Sequence, residues 1–586
     1  MRHYIKANKI FNPPKFIQII YLLFFIALFT LILQVFLKTT DVIDSWYLAG
    51  VFEYFILFIA LFSLAVVFSP SLESVAVLSS IFLMVISLLP NIKYPFILNP
   101  SDSIMHYGCI RETIRQGKAV AVGVYQKQYM YTPGLHILVA GLSIISNFNV
   151  NTSIKIFLAI SSATYPLMTY LVVRRLNLSD KIVKWIIATS ALSFSSLTYH
   201  FTGNSDHLFY SFFIYLMFLY TLLPYMSASF KEFILISIFG FSILFSHDTT
   251  TFYLILMMTV ILITLIFWKI IKSDERYKLP LLPLSWVFIY LFWSIHVSHY
   301  NFTQLVWFVR NSIHILLGTG HSSPPVIEYY KTFFKLSLLD KIKVLTISYI
   351  KDGIMILLSL SGLIFIIRHR NKMMYVKRYY YVVSILFIVN LLAASLIFIV
   401  WRAFSTRLIL YSNPLFPLLC GLSPFSQLKE ENSFRRVAKA LIFFTLVFLS
   451  ILQVYPYQPL IPKIQTKYGL YYVKDFRLIN SIYARSVVFF LNLHDDHLSI
   501  APDAGIHPML YGLMDLPRHR LIMEEEPVFS HEIQSPLIVF SPSIRSNPIP
   551  NTWKYATAYH DYFLKSIQNK SIVYSNGDWY IFFKTR

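Results

Sequence analysis

The chain has 586 residues, of which 56% are hydrophobic, 17% aromatic and only 13% charged, with a mean hydropathy of +0.60. A soluble fold cannot hide that much apolar surface, so an ordinary water-soluble enzyme is excluded and a polytopic membrane protein is expected. The formal charge of +22 would suit a nucleic-acid binder, but Lys and Arg gather in short clusters between apolar runs, as topology signals do, which argues against nucleic acid as a partner.

The basic N-terminus, with Arg2, Lys6, Lys9 and Lys15, leads into an apolar run from Phe16 to Leu37. That run is too long for a signal-peptide core and reads as a retained first span. Further runs follow at Tyr47–Phe68, Val75–Leu89, Ile154–Val173, Trp185–Leu197, Leu208–Leu223, Phe233–Phe245, Thr249–Trp268, Leu281–Ile295, Ile354–Ile367, Tyr380–Val400, Leu408–Leu422 and Ala438–Val454. The expected architecture is an all-α membrane domain of about thirteen transmembrane helices over residues 1–455.

Four basic clusters sit between these runs: Arg174, Arg175, Lys181 and Lys184; Lys269, Lys272, Arg276 and Lys278; Arg368, Arg370, Lys372, Lys377 and Arg378; and Lys429, Arg435, Arg436 and Lys439. The positive-inside rule places all four, and the N-terminus, in the cytoplasm. An even number of runs separates each successive pair, as that assignment requires. The loop after the third span, with Asp102 and His106, is then external. The run Gly134–Ile145 offers only about 18 Å of helix against a hydrocarbon core of roughly 30 Å, so it dips or breaks instead of spanning. Also external are Gly203-Asn204-Ser205-Asp206-His207, Ser246-His247-Asp248, the loop Tyr300–Ile342, Arg402, Arg407 and everything after Tyr455. The parity came from Lys and Arg clusters alone, so the gathering of other polar groups on one face is independent of it and argues for a site there.

Ser103 to Gln116 reads as an amphipathic helix with Ile104, Tyr107, Ile110, Arg111 and Ile114 along one side, ended by Gly117 and lying in the interface beside the membrane. Beyond the prolines 456, 459 and 462, residues 456–586 suffice for one small extracytoplasmic α/β domain. Within it, Ser486–Leu493 suits helix or strand and Leu537–Phe540 a short buried strand. Ile572–Tyr574 and Trp579–Phe582 flank an Asn-Gly turn as a hairpin. Cys109 and Cys420 fall near opposite membrane faces, so no disulfide framework is expected.

Asp102 and His106 are four residues apart, so on a helix they share a face and can bind a metal together or pair as base and orienting group. Asp102 equally suits the N-cap of that helix. Asp206 is either a second carboxylate facing Asp102 or the N-cap of the next span, with His207 its neighbour. Asp248 is explained by capping, whereas a His at the depth of His247 costs free energy unless partnered, which makes His247 a substrate-binding candidate. Arg402 and Arg407 reverse the charge bias of the external edge. They are suited to a lipid-linked phosphate, or they snorkel to headgroups. Tyr131-Thr132-Pro133-Gly134 marks a sharp turn into the membrane with His136 just inside, and Tyr131 and His136 join the substrate-binding candidates. Glu53, Glu73 and Asp352 lie at span ends and read as interfacial. No phosphate-cradling Gly-Lys-Ser/Thr loop, His-Glu-x-x-His signature or Cys-x-x-Cys pair is present, so nucleotide hydrolysis is not indicated.

These features resemble the GT-C superfamily of polytopic glycosyltransferases, in particular prokaryotic and archaeal members similar to protein mannosyltransferases. Asp102 and His106 in the first large external loop, the following Ile114 to Gly117, and Tyr131-Thr132-Pro133-Gly134-Leu135-His136 carry the likeness, the last being similar to a Tyr-Pro-Pro-Gly-x-His pattern. Asp206 stands where that family has a second-loop acid, and Arg402 with Arg407 resemble its late external arginines. The resemblance implies inverting transfer of a sugar from a polyprenyl- or dolichyl-phosphate carrier to a protein, lipid or glycan acceptor on the external face. Asp102 would be the general base, and Arg402 with Arg407 would hold the lipid phosphate. Some relatives use a divalent cation, Mg or Mn, and others none; Asp102, His106 and Asp206 would be its ligands here. Asp102 is flanked by Ser101 and Ser103 where many relatives have adjacent acids, and Thr132 replaces the first Pro. The alternative from another class is a flippase or transporter of a lipid-linked envelope precursor, which would call for inverted repeats and midplane ionisable groups; a non-catalytic subunit of an envelope glycosylation system is a third reading.

Overall fold

The computed structural model describes residues 15–38, 50–89, 102–119, 133–174, 178–203, 281–299, 338–368, 377–400, 415–423 and 433–454, isolated stretches between 234 and 317, and seven short strands between 463 and 583. The first helix, α1 (Lys15–Lys38), is apolar on every side. Ile17, Ile20, Phe24, Ala27, Leu31 and Val35 are buried at the three-and-four spacing of one helix face. Phe16, Ile19, Leu23, Ile26, Phe29 and Leu33 are exposed. A helix with apolar residues on its solvent side as well as its packed side belongs in lipid. α1 packs on α2 (Phe52–Phe68), which continues through a Ser69-Pro70-Ser71 turn into α3 (Leu72–Leu88). Ser71 caps α3 by accepting the Ser74 N–H at 3.0 Å.

After α4 (Asp102–Gln116) and α5 (Gly134–Ser146) come α6 (Val150–Arg174) and α7 (Asp180–Gly203). α3, α6 and α7 pack on one another, and α12 (Ser433–Val454) closes against α2 and α7. Stacked, tilted and edge-on rings bind four of these helices together: Phe58–Phe82 and Phe62–Phe82 join α2 to α3, and Phe62–Phe443 and Trp185–Phe443 join α2 and α7 to α12. α8 (Leu281–His296), α9 (Leu338–Arg368) and α10 (Lys377–Val400) follow, with the short α11 (Leu415–Cys420) wedged among α7, α9 and α10. Two glycines permit the wedge. A Cβ on Gly362 would strike the backbone carbonyl of Leu419, and one on Gly421 would strike the Ile186 side chain. By length and composition α1 and α6 can each cross a membrane, and α2, α3 and α5 are shorter apolar helices.

The chain returns repeatedly to one end of this bundle. Lys184, in the first turns of α7, donates from Nζ to the Val67 and Ser69 carbonyls at 2.6 and 3.0 Å, filling acceptors left open where α2 ends. Tyr170 near the end of α6 donates to Glu73 at 2.6 Å, so the expected interfacial Glu73 is an acceptor between helices. The ends of α2 and α6 thus meet the starts of α3 and α7, the grouping that charge parity requires. α5 joins the other end of α6 through residues 147–149, away from Lys184.

Beyond the helices, β1 (Lys463–Thr466) and β2 (Gly469–Tyr472) form an antiparallel hairpin. Five strands, β3 (Ser499–Pro502), β4 (Arg520–Leu521), β5 (Leu537–Phe540), β6 (Ser571–Ser575) and β7 (Tyr580–Phe583), pair in the order β4-β3-β5-β7-β6. β3 is parallel to both neighbours, and β6 and β7 pair antiparallel with a register shift between Ile572 and Tyr574. Ser486–Leu493 lies outside the described residues.

α4 is buried more broadly than its apolar pattern implies: Tyr107, Ile110 and Ile114 face the core as expected, and His106, Cys109, Glu112 and Thr113 are buried too. The reason is α5, which packs against α4 and gives its polar residues a partner that periodicity within α4 cannot reveal.

Candidate functional site

α4 begins at Asp102 and ends at Gly117, whose left-handed φ of 66° and bond from its N–H to the Thr113 carbonyl at 3.0 Å stop the helix. At about 100° per residue, Asp102, His106, Cys109 and Thr113 occupy one stripe, with Asp102 one turn before His106. Of these, His106 and Cys109 are essentially fully buried. An aspartate in the first turn is also favoured by the helix dipole, so capping and chemistry do not compete for Asp102.

α5 supplies the other half. It opens after Pro133, and the Gly134 N–H, one of the donors a helix start leaves open, is accepted by the Phe245 carbonyl at 3.0 Å. That bond brings the chain two residues before His247 to a point two residues before His136. α5 ends at Asn147, with φ 55° in the left-handed region. At 13 residues it runs about 20 Å, shorter than the hydrocarbon core of roughly 30 Å.

His106 Nδ1 and His136 Nε2 lie 3.1 Å apart, and neither ring has exposed surface. The centroids are 5.3 Å apart with the planes tilted by 39°. One imidazole donates and the other accepts, which requires that at least one be neutral.

Glu112, an acid on the same helix that does not figure among the expected site residues, is buried. Its Oε2 meets Arg115 Nη2 at 2.6 Å and Gln116 at 3.5 Å, while Oε1 is 3.8 Å from Arg111 Nη2 and accepts no hydrogen bond among the described residues. The Glu112–Arg115 spacing of three was the available signal, but the same spacing occurs on solvated helix faces. The structure thus joins His106 to His136 and places Asp102 on the same stripe. Tyr131, Asp206, His247, Arg402 and Arg407 lie outside the described residues. Among the described residues no group of three His, Cys, Asp or Glu side chains is placed to hold a metal ion. Cys109 and Cys420 are both free and buried.

No protein-family model matches the sequence, and no curated protein matches it. Solved structures do. The oligosaccharyltransferase of Archaeoglobus fulgidus in its apo form superposes with a TM-score of 0.50 at 12% identity, covering 88% of this chain and 74% of that one. The oligosaccharyltransferase AglB of the same organism, in complex with an inhibitory peptide and a dolichol-phosphate, gives 0.50 at 11% identity over the same shares. The chain therefore shares the fold of these oligosaccharyltransferases. The apolar helices with apolar side chains on their exposed faces fit a membrane location.

Proposed function

We propose that the chain is an integral-membrane glycosyltransferase that moves a sugar from a polyprenyl- or dolichyl-phosphate carrier to a protein, lipid or glycan acceptor at the external face. The observation that carries this reading is the burial of an acid- and imidazole-bearing helix, α4, against α5 within a GT-C fold. The complex of the similar AglB with dolichol-phosphate and a peptide supports both the lipid-linked donor and a peptide-like acceptor. Asp102 takes the proton of the acceptor hydroxyl or amide as the new bond to the anomeric carbon forms on the face opposite the carrier. The bond from that carbon to the phosphate oxygen breaks, its electron pair leaves with the carrier phosphate, and the anomeric centre inverts. Arg402 and Arg407 hold that phosphate and offset the growing charge. A divalent cation, if one is used, would be held by Asp102 and His106 with Asp206 as the further acid, and would neutralise phosphate charge there.

Residues 1–455 form the membrane domain of about thirteen spans, with the N-terminus cytoplasmic, and residues 456–586 form an external α/β domain over the site. Tyr131, His136 and His247 line the approach to it. The Asp102→Asn variant tests the assignment by transfer of a radiolabelled sugar from its dolichyl-phosphate carrier to the acceptor fraction of membranes. Loss of a proton acceptor lowers the rate by about 10²–10⁴-fold, and an unchanged rate removes Asp102 as base. Flux of the labelled carrier across proteoliposomes, with no sugar transferred, would replace the enzyme with a flippase. Cysteine accessibility at Ser101→Cys, Ser205→Cys and Ser405→Cys should report a single external side, and labelling from opposite sides would sink the one-face site.

A further inference from the structure

α1, α3, α7 and α12 all start at one end of the bundle, at Lys15, Leu72, Asp180 and Ser433. Their contacts with the end of α2 bring these starts to a common level. On α1, the Phe16 ring meets Phe68 edge-on at 5.8 Å and the Tyr21 hydroxyl donates to Ser69 Oγ at 2.9 Å, while Lys184 of α7 reaches the Val67 and Ser69 carbonyls. The ring pairs Phe62–Phe443 and Phe52–Phe448 set α12 antiparallel to α2, and Lys439 of α12 stands 5.5 Å over the Trp185 ring of α7. Lys439 is only 1% exposed, so this end holds an ammonium group inside the fold and presents Lys15, Lys181 and Arg436 on its outside. The helix starts add the positive ends of their dipoles. The acids there among the described residues are Glu73 and Asp180, and both are engaged, Glu73 by Tyr170 at 2.6 Å and Asp180 by Arg174 at 3.5 Å.

Beside these cations the outer surface is apolar. Val437, Leu441 and Ile442 follow Arg436 on α12 and are exposed, as are Phe16 and Ile19 after Lys15 on α1. α1 and α12 both pack on α2, whose Leu57 is exposed further along. Cations at the head of apolar helix faces match a phosphate carried on hydrocarbon chains, as basic pockets between spans do for anionic lipids. A soluble polyanion would meet the charges and leave those faces uncovered.

We propose that this end of the bundle binds an anionic phospholipid of the surrounding leaflet, with Arg436, Lys181 and Lys15 around its phosphate and its chains along the exposed faces of α12 and α1. Lys184 and Lys439, held inside, keep the potential positive behind that phosphate. In the proposed topology this is the cytoplasmic leaflet. α5 joins α6 at the opposite end of α6 from this site. The inference rests on the membrane location of the chain and not on sugar transfer.

The test is native mass spectrometry of the delipidated full-length protein in detergent, titrated with phosphatidylglycerol or with phosphatidylcholine of the same chain length. Phosphatidylglycerol binds more tightly by about tenfold or more, and it raises the thermal midpoint. The double variant Lys181→Gln/Arg436→Gln, changed only at exposed positions, loses phosphatidylglycerol affinity by roughly fivefold for each cation removed. Lys38→Gln/Lys118→Gln removes two exposed cations elsewhere and binds as the parent does. Equal binding of the two lipids overturns the proposal, as does an equal loss in the two double variants, which would mean diffuse attraction to net charge. Displacement of phosphatidylglycerol by millimolar inorganic phosphate overturns the lipid as occupant, and tighter binding of dolichyl phosphate than of phosphatidylglycerol overturns it in favour of the sugar carrier. No sugar donor or acceptor is present in this experiment, so its failure and the failure of the glycosyltransferase reading are separate results.

Discussion

Gly362→Ala, on α9, offers a direct measure of how tightly the α11 wedge is set. A methyl group there would collide with the Leu419 carbonyl carbon and oxygen, which belong to backbone and cannot swing aside as a side chain can. Alanine is favoured over glycine within a helix by about 1 kcal/mol, whereas overpacking costs about 1–3 kcal/mol, and a clash with backbone falls at or above the top of that range. The net expectation is a loss of about 2 kcal/mol or more. Gly353→Ala on the same helix supplies the control. No atom lies within 4 Å of a Cβ at that position, so only the gain in helix propensity remains. Thermal inactivation of the detergent-purified proteins, followed by size-exclusion of the surviving fraction, should rank Gly353→Ala at or above the parent and Gly362→Ala clearly below. Equal or greater survival of Gly362→Ala would show that α9 and α11 are not in the close contact described, and the wedge would have to be redrawn.

Lys184→Met keeps the aliphatic stem but removes the donor from the Val67 and Ser69 carbonyls, and should cost about 1.5–3 kcal/mol, as for hydrogen bonds from a charged group. A loss matched by Lys181→Met, at an exposed neighbouring position, would point to charge alone. Tyr170→Phe should destabilise by about 0.5–1.5 kcal/mol, and the effect should vanish once the carboxylate acceptor is already gone, as in Glu73→Ala. Additive losses in that double-mutant cycle would mean that the 2.6 Å bond contributes nothing.

Most of the helical layout can be read in the sequence because long apolar runs leave few alternatives. α1, α6 and α7 fall where the runs do, and basic clusters correctly group the ends that Lys184 and Glu73 tie together. α9 is less legible. Its apolar part begins near Ile354, but the helix starts at Leu338, through a stretch bearing Asp340, Lys341, Lys343 and Lys351 that hydropathy alone reads as loop. At the site, the four-residue spacing of Asp102 and His106 and the Pro-Gly-Leu-His turn were visible locally. Their meeting was not, because the contact between His106 and His136 crosses 30 residues and two helices. Glu112 was hidden for a related reason. Its burial depends on what covers α4, and a one-dimensional pattern does not contain that information.

The bond from the Gly134 N–H to the Phe245 carbonyl sets an order of events during synthesis. α4 and α5 can pair as soon as residue 146 has emerged, but the start of α5 is completed only by a carbonyl about 110 residues further on. At about 5–20 residues per second, that interval lasts roughly 6–20 s. Through it, the histidine-bearing corner stands with an open donor at the start of α5, so it is finished only by a segment made later. A nascent chain stalled before residue 245 would carry both histidines and still lack a finished site.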